Sequence, residues 1–193
     1  MAPRALPLYM DSPVEQQTLH PLLRARYSPA GFDPDHEVTV DEIDLLLEAA
    51  RWAPSAGNSQ PWAFVPARRG DPIHPTITRH LARSSRAWAA DASALIVNLT
   101  RRFVDDTDLP YSDFADYDLG QAVAHLTIQA QAMDLACHQF RAFDLAALSA
   151  DLAPAPGWHI VSMTAIGRPA GPLATERGRR SVADLRRDAF APN

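Results

Sequence analysis

The sequence of 193 residues contains no lysine, so all 18 of its basic residues are arginines. This absence excludes chemistry that requires a lysine, such as a Schiff base or the lysine of a P-loop. Any contact between a basic side chain and a phosphate must therefore come from a guanidinium, whose planar fork suits bidentate anion binding.

Cysteine and long apolar runs are also scarce. Cys137 is the only cysteine, which excludes an intrachain disulfide, and no cysteine–histidine spacing resembles a zinc site. We expect its thiol to be a small buried side chain rather than a nucleophile.

The apolar runs fall short of the roughly 18 residues of a membrane span. The N-terminal stretch, interrupted by Pro3 and Pro7, is a poor secretion signal. We therefore expect a cytoplasmic protein.

Composition places the chain among globular proteins of one domain. Hydrophobic residues make up 47% and charged residues 21%, and the net charge of −5 does not favour nucleic acid or an anionic membrane. There are no internal repeats and no linker, so residues 1–193 are expected to form a single domain.

Hydrophobic periodicity predicts alternating helices and strands. A capping box, Thr39 to Glu42, begins one helix and Pro54 ends it. The apolar run Ala94 to Val97 is typical of a central strand covered on both faces. The predicted helices cover about 13–24, 40–53, 71–85, 119–133 and 144–152, and the predicted strands about 62–65, 94–97, 137–140 and 159–166.

Two loop segments carry candidate binding groups. Arg26 and Ser28 stand two apart on an irregular segment and can both face one phosphate. The stretch from Pro54 to Trp62 is dense in small polar residues and can approach a planar ligand. From the residues alone, a solvated loop and a plain helix-to-strand connection are the simpler interpretations.

The order of these motifs resembles the nitroreductase family. Members begin with an Arg-x-Ser segment and an Ala-Pro-Ser-x-x-Asn-x-Gln-Pro-Trp loop, which match Arg26 to Ser28 and Ala53 to Trp62. Weaker matches are Asp118-x-Gly120, the segment from His138 to Asp144, and Thr164 to Gly167. Together they span roughly residues 15 to 187.

The resemblance implies an α+β fold, a three-layer α/β/α sandwich with a mixed, mostly antiparallel sheet, built as an intertwined homodimer. It also implies FMN as the cofactor, with NADH or NADPH as the electron donor. Residues 168–193 would form a C-terminal segment that wraps the partner subunit. The reaction would be ping-pong: a hydride passes to the flavin, and a nitroaromatic, quinone or similar small acceptor then takes the electrons.

The resemblance also assigns residues to the cofactor, position by position. Arg26 and Ser28, with Tyr27 between them, would hold the phosphate, and the C-terminal arginines would meet it. The loop would approach the flavin of the partner subunit, and the segment from Gln139 to Ala142 would lie along the ring. The complete set is Arg26, Tyr27, Ser28, Pro54, Ser55, Asn58, Gln60, Ser85, Phe140, Arg141, Arg177, Arg179 and Arg180.

This sequence departs from the family pattern around the flavin's pyrimidine edge. Ala30 stands where many members carry a cation, and Ser85 stands where an Asn is frequent. Loss of a cation there should lower the reduction potential of the flavin, because the reduced ring is anionic. Arg141, in place of a frequent Glu or small residue, could compensate; a surface arginine is the alternative.

No side chain stands out as a catalytic acid or base, and we expect neither a catalytic residue nor a metal site. We expect His138 to be structural, and Asp105, Asp106 and Asp108 to form a solvated loop. Two other functions stay open. One is a flavin-dependent dehydrogenase or oxidase of a specific metabolite, and the other is a non-catalytic protein that stores or senses FMN.

Overall fold

The computed structural model describes residues 19–104, 107–172 and 177–186. Its helices are α1 (Pro21–Ala25), α2 (Val40–Arg51), α3 (His74–Thr78), α4 (Arg83–Ala89), α5 (Ala115–Ala132), α6 (Leu145–Leu152) and α7 (Val182–Leu185). Its strands are β1 (Trp62–Arg68), β2 (Ala94–Arg101), β3 (Ala136–Phe140) and β4 (Trp158–Gly167). A single 3-10 turn, Ala56–Asn58, lies between α2 and β1.

The four strands form one sheet in the order β1-β2-β4-β3, and each of these pairings is antiparallel. Strand β2 lies inside the sheet, and its residues from Ala94 to Thr100 are all buried. This confirms the prediction of a central strand covered on both faces. Strand β3 pairs only with β4 among the described residues and forms one edge.

Helices cover both faces of the sheet, which confirms the predicted α+β sandwich. Alternate residues of a strand point to opposite faces. Leu95, Val97 and Met163 join α3, α4 and α6 in one apolar core. Ile96, Ile166 and Cys137 join α2 and α5 in a second core on the other face.

The capping box of α2 is formed as predicted. The Thr39 hydroxyl accepts a hydrogen bond from the Glu42 backbone N–H at 3.1 Å, and the Glu42 carboxylate accepts one from the Thr39 backbone N–H at 2.7 Å. The bond from the Thr39 N–H to the carboxylate holds the pKa of Glu42 below its usual range. The buried side of α2, which includes Leu46 and Ala50, packs against α5.

The prediction of one continuous helix over 71–85 is wrong. The chain forms two short helices, α3 and α4, with a break around Leu81. At the break Ala82 donates to the Ala142 carbonyl at 3.1 Å, and Asp144 donates to the His80 carbonyl at 2.9 Å. Backbone groups that a continuous helix would use internally bond instead to the segment after β3, so the tertiary pairing overrides the local pattern.

Other boundaries differ by a few residues, as helix and strand ends commonly do. The long helix begins at Ala115, four residues before the predicted start, and β1 continues to Arg68. The first predicted helix covers 13–24, and residues 13–18 of it lie outside the described residues. Helix α1 corresponds to the end of that predicted helix. Asp105 and Asp106, and the parts 173–176 and 187–193 of the C-terminal segment, lie outside them too.

Within the described ranges, no helix combines the length and apolarity needed to cross a membrane. No group of three or more potential metal ligands occurs in that same part of the chain.

Candidate functional site

A groove with a volume of about 540 Å³ runs along α5. We call it the α5 groove. Its helical side is mostly apolar and includes Leu119, Val123 and Ile128. Its other side is formed by Leu23 and Arg26, by Gln139 of β3, and by Val161 and Ser162 of β4.

Arg26 lines this groove and Ser28 lies beside it, because α1 ends at Ala25 and the chain then becomes irregular. The guanidinium Nη1 of Arg26 is 3.5 Å from the Ser28 hydroxyl, so both groups can face one anion. Tyr27 turns away: its hydroxyl donates to the Gly171 carbonyl at 3.4 Å, and burial raises its pKa. The structure therefore groups Arg26 with Ser28 and separates the Tyr27 side chain from them.

A second, smaller groove of about 370 Å³ adjoins the first, because Leu23 lines both. Arg24, Arg177 and Arg179 also line it, and we call it the arginine groove. The guanidinium of Arg177 donates to the backbone carbonyls of Arg24 and Arg26. The C-terminal segment is thus tied to the end of α1 through Arg177, and Arg179 lines the same groove, while the exposed Arg180 lines neither groove.

Arg24 is a residue that the sequence analysis missed. Its only signal is its position two residues before Arg26, which on a short helix does not distinguish a binding residue from a solvated one.

The loop from Pro54 to Gln60 has an unusual backbone. Gly57, Asn58 and Gln60 have φ values of 58°, 55° and 49°, a left-handed conformation that side chains other than glycine seldom adopt. Inside the loop, the Ser55 hydroxyl accepts from the Gln60 N–H at 3.0 Å. The Asn58 side-chain oxygen accepts from the Gln60 side-chain amide at 3.2 Å.

Two residues outside the loop hold it in place. The buried carboxylate of Asp118, at the start of α5, accepts a hydrogen bond from the Ala56 N–H at 3.0 Å. The Tyr111 hydroxyl donates to the Ser59 carbonyl at 3.0 Å. Pro54, Asn58 and Gln60 are exposed, and no residue of the loop lines the α5 groove of the same chain. The sequence analysis gave neither Asp118 nor Tyr111 a part in the site.

Ser85 is fully buried in α4, so its hydroxyl is not presented to either groove. Its one hydroxyl hydrogen has two carbonyl acceptors within reach, Ala82 at 3.0 Å and Ala142 at 2.5 Å. It can therefore act on a ligand only through the Arg141–Ala142 segment that it holds, and not by the direct contact that the resemblance implied.

Phe140 and Arg141 end β3 and point to different places. The Phe140 ring packs on the face of the sheet opposite the α5 groove. Its centroid lies 5.0 Å from the centroid of the Trp88 ring and 6.2 Å from that of the Phe143 ring. Arg141 is exposed, and its Nη1 donates to the Val161 carbonyl at 2.5 Å. That carbonyl belongs to the residue left over where the register of β2 and β4 shifts, a β-bulge of the kind often found beside active sites.

A group of polar residues lies beneath the α5 groove, and the sequence analysis missed it. The Asn98 amide donates to the hydroxyls of Ser162, at 3.0 Å, and Thr164, at 2.9 Å. The Gln139 amide donates to the Thr127 hydroxyl at 2.7 Å, which in turn donates to the Val123 carbonyl. The only signal in the sequence is one asparagine inside the apolar run from Leu95 to Leu99.

His138 and Cys137 have structural surroundings, as predicted. His138 stacks on Trp88 with 4.2 Å between ring centroids, and its Nδ1 lies 2.7 Å from the Pro29 carbonyl, to which it must donate. Cys137 is buried, and that burial raises the pKa of its thiol to about 12. A thiol in this state is a poor nucleophile.

Comparison with known proteins supplies the deciding observation. Residues 23–73 match the sequence profile of the Nitroreductase family. The crystal structure of a Desulfovibrio desulfuricans protein, provisionally named a nitroreductase and in complex with FMN, aligns with a TM-score of 0.71 and 28% identity. That alignment covers 91% of this chain and 100% of the other. In sequence motifs and in fold, the chain is similar to the nitroreductase family.

Curated relatives also carry nitroreductase names, and they align either over a short segment or at lower identity. An oxygen-insensitive NAD(P)H nitroreductase of Salmonella typhimurium is 43% identical over 42 residues, 22% of this chain and 19% of that protein. The chain thus matches only about a fifth of that relative's length. A Streptomyces coelicolor protein with the provisional name NADH dehydrogenase/NAD(P)H nitroreductase is 25% identical over 73% of this chain and 79% of that protein.

Proposed function

We propose that this protein is an FMN-dependent NAD(P)H oxidoreductase. It would pass electrons to a nitroaromatic, quinone or similar small acceptor by a ping-pong mechanism. The observation that carries the proposal is the α5 groove, which joins Arg26, the neighbour of Ser28, to a polar surface formed by the strands.

The residues present fit the chemistry of FMN. A terminal phosphate needs cationic and hydroxyl donors, and Arg26 and Ser28 supply both within 3.5 Å of each other. Arg24 and Arg179 add positive charge in the adjoining arginine groove. Arg177 contributes charge while its bonds to two backbone carbonyls fix the segment that carries it.

The ring system needs an apolar surface with a few polar groups. Leu119, Val123 and Ile128 supply the apolar part of the α5 groove, and Gln139 and Ser162 supply the polar part. We propose that the ring lies along the segment from Gln139 to Ala142. The exposed Arg141 would then face its edge, and Ser85 would hold the backbone of the same segment.

Bound FMN would accept a hydride from the nicotinamide and hand electrons to the acceptor, while the protein supplies binding, orientation and electrostatics. No side-chain acid or base is assigned to the reaction. Pro54, Ser55, Asn58 and Gln60 would serve the flavin of the partner subunit in a homodimer, since they stand away from the α5 groove of their own chain. Residues 168–193 would wrap that partner.

The absorption spectrum of the purified protein tests the cofactor. We expect a yellow protein that releases FMN rather than FAD, and whose flavin is bleached anaerobically by NADH or NADPH. A colourless protein without affinity for added FMN would refute the proposal. Light scattering tests the dimer, and a monomer of about 21.1 kDa with FMN still bound would contradict the role given to the loop.

One observation favours a second candidate, a protein that binds FMN without turnover. Ala30 offers no cation, and the Ser85 hydroxyl is taken up by two backbone carbonyls, which leaves the pyrimidine edge with few donors. Stable FMN binding together with failure of both nicotinamides to bleach the flavin would favour this alternative.

A further inference from the structure

Asn98 is a polar side chain at a fully buried position inside the sheet. It lies on the central strand β2, fully buried, between the apolar neighbours Val97 and Leu99. Its amide nitrogen has two acceptors, Ser162 and Thr164, but its side-chain oxygen has no hydrogen-bond partner among the described residues. Leaving a buried acceptor unpaired is unfavourable, so an apolar side chain would be the expected occupant of a purely structural position.

The hydrogen bonds of Asn98 fix the direction of two hydroxyl groups. An amide nitrogen carries two hydrogens, and both are donated here, one to Ser162 and one to Thr164. Each hydroxyl oxygen accepts from the amide, so its own hydrogen must be directed to another acceptor. Asn98 therefore makes both residues donors toward the rest of their surroundings.

Only one of these hydroxyls belongs to a residue that reaches the α5 groove. Ser162 lines the groove, whereas Thr164 is fully buried and does not. Ser162 also directly follows Val161, the residue left over at the β-bulge. The register shift thus falls at the point where β4 meets the groove.

We propose that Ser162 donates a hydrogen bond to an oxygen or nitrogen acceptor of FMN bound in the α5 groove. Asn98 is the positioning residue that holds this hydroxyl in the donating direction. The inference rests on the proposed function, because it places FMN in this groove, and it adds a contact from a strand to which the family motifs assigned no binding residue.

The first test compares Ser162→Ala with Thr164→Val by titrating FMN into apoprotein and following its fluorescence. Loss of one neutral hydrogen bond should raise the dissociation constant of Ser162→Ala about three- to ten-fold. Thr164→Val is the matched control, since it removes the other hydroxyl bonded to Asn98 at a position away from the groove. It should leave the dissociation constant within about two-fold of the wild type.

The second test reverses the direction of the hydroxyl. In Asn98→Asp the carboxylate accepts from Ser162, so the hydroxyl no longer donates into the groove, and FMN affinity should fall about as far as in Ser162→Ala. The double variant should show no further loss. If the buried carboxylate prevents folding, the pair Ser162→Ala and Thr164→Val decides alone.

Wild-type affinity in Ser162→Ala, or an equal loss in Thr164→Val, would overturn the inference. The proposed function is judged separately in the same titration. A wild-type protein that binds FMN, and an Arg26→Ala variant that binds it more weakly, support the cofactor site even if Ser162 proves irrelevant. A wild-type protein that does not bind FMN overturns both.

Discussion

The two faces of the sheet are built from the same strands but have different chemistry. The face toward α3, α4 and α6 is apolar along the central strands, with Leu95, Val97 and Met163 among its fully buried side chains. The face toward α2 and α5 begins the same way, with Ile96 and Ile166. It then becomes polar where the α5 groove lies.

This difference separates stability from binding within a single sheet. Since neighbouring residues of a strand face opposite sides, Val97 contributes to an apolar core while Asn98 beside it organises the surface beneath a groove. The apolar face can therefore be disturbed without touching the candidate site, and the half-buried Ser162 can be altered without removing a side chain of either apolar core.

The largest effect on stability is expected on the apolar face. Leu95→Ala should lower the free energy of unfolding by about 2–5 kcal/mol, because Leu95 is fully buried and its truncation leaves a cavity. Urea unfolding of the apoprotein measures this. Ser162→Ala should lower the free energy of unfolding far less. An equal loss of stability in both variants would show that the two faces are not separated into one for stability and one for binding.

The largest effect on binding is expected at Arg26. Arg26→Ala should weaken FMN binding by roughly 1.5–3 kcal/mol, the usual worth of a hydrogen bond to a charged group. This corresponds to about ten- to a hundred-fold in dissociation constant, measured by FMN titration. Arg83→Ala is the control, since Arg83 is exposed on α4 and lines neither the α5 groove nor the arginine groove. Unchanged affinity in Arg26→Ala would move the phosphate to the arginine groove.

A smaller effect is expected at Arg141, at the edge of the polar face. If its guanidinium offsets the negative charge of the reduced flavin, Arg141→Ala should lower the midpoint potential and slow reduction by nicotinamide. FMN affinity should change little. About 30 mV corresponds to roughly 1.4 kcal/mol for a two-electron couple, which redox titration resolves. An unchanged potential would make Arg141 a residue that only braces Val161.

The smallest effect concerns His74, which packs at the start of α3. Burial, with a contribution from Arg69, lowers the pKa of His74 below 6.5, and its Nε2 has no hydrogen-bond partner among the described residues. Below pH 6.5 the unfolded chain takes up a proton that the folded chain resists. Stability should therefore be full above that pH and fall as the pH drops toward the lowered folded value. His74→Gln should reduce the slope of unfolding free energy between pH 7.5 and 5.5; an unaltered slope would contradict this.

Several features were predictable because their causes are local in the chain. The two residues of the capping box, Thr39 and Glu42, are three positions apart, and the strand that begins at Ala94 is recognisable as a continuous apolar run. The Arg26–Ser28 pair and the loop ending at Trp62 are short motifs, and the resemblance that they indicated is supported by the family profile over residues 23–73. Segment composition and periodicity suffice for features of this kind.

The break at Leu81 was not predictable from its own segment. The residues from Asp71 to Ser85 have a helical pattern, and only the backbone hydrogen bonds to Ala142 and Asp144 interrupt it. Those partners lie about 60 residues further along the chain. The local sequence therefore does not show that these distant hydrogen bonds replace those of a continuous helix. Ser85 follows this break, and its buried hydroxyl lies within hydrogen-bond distance of the Ala82 and Ala142 carbonyls.

By itself, then, the sequence determined the resemblance to a family, the α+β class and the positions of the motifs, because each depends on neighbouring residues. Tertiary structure decided which side chains meet. Asn98 reaches Ser162 across 64 residues, and Arg177 reaches the Arg26 carbonyl across 151. Such contacts depend on strand order and register, which a one-dimensional pattern does not specify. The polar surface beneath the α5 groove exists only because antiparallel pairing brings β2, β4 and β3 side by side.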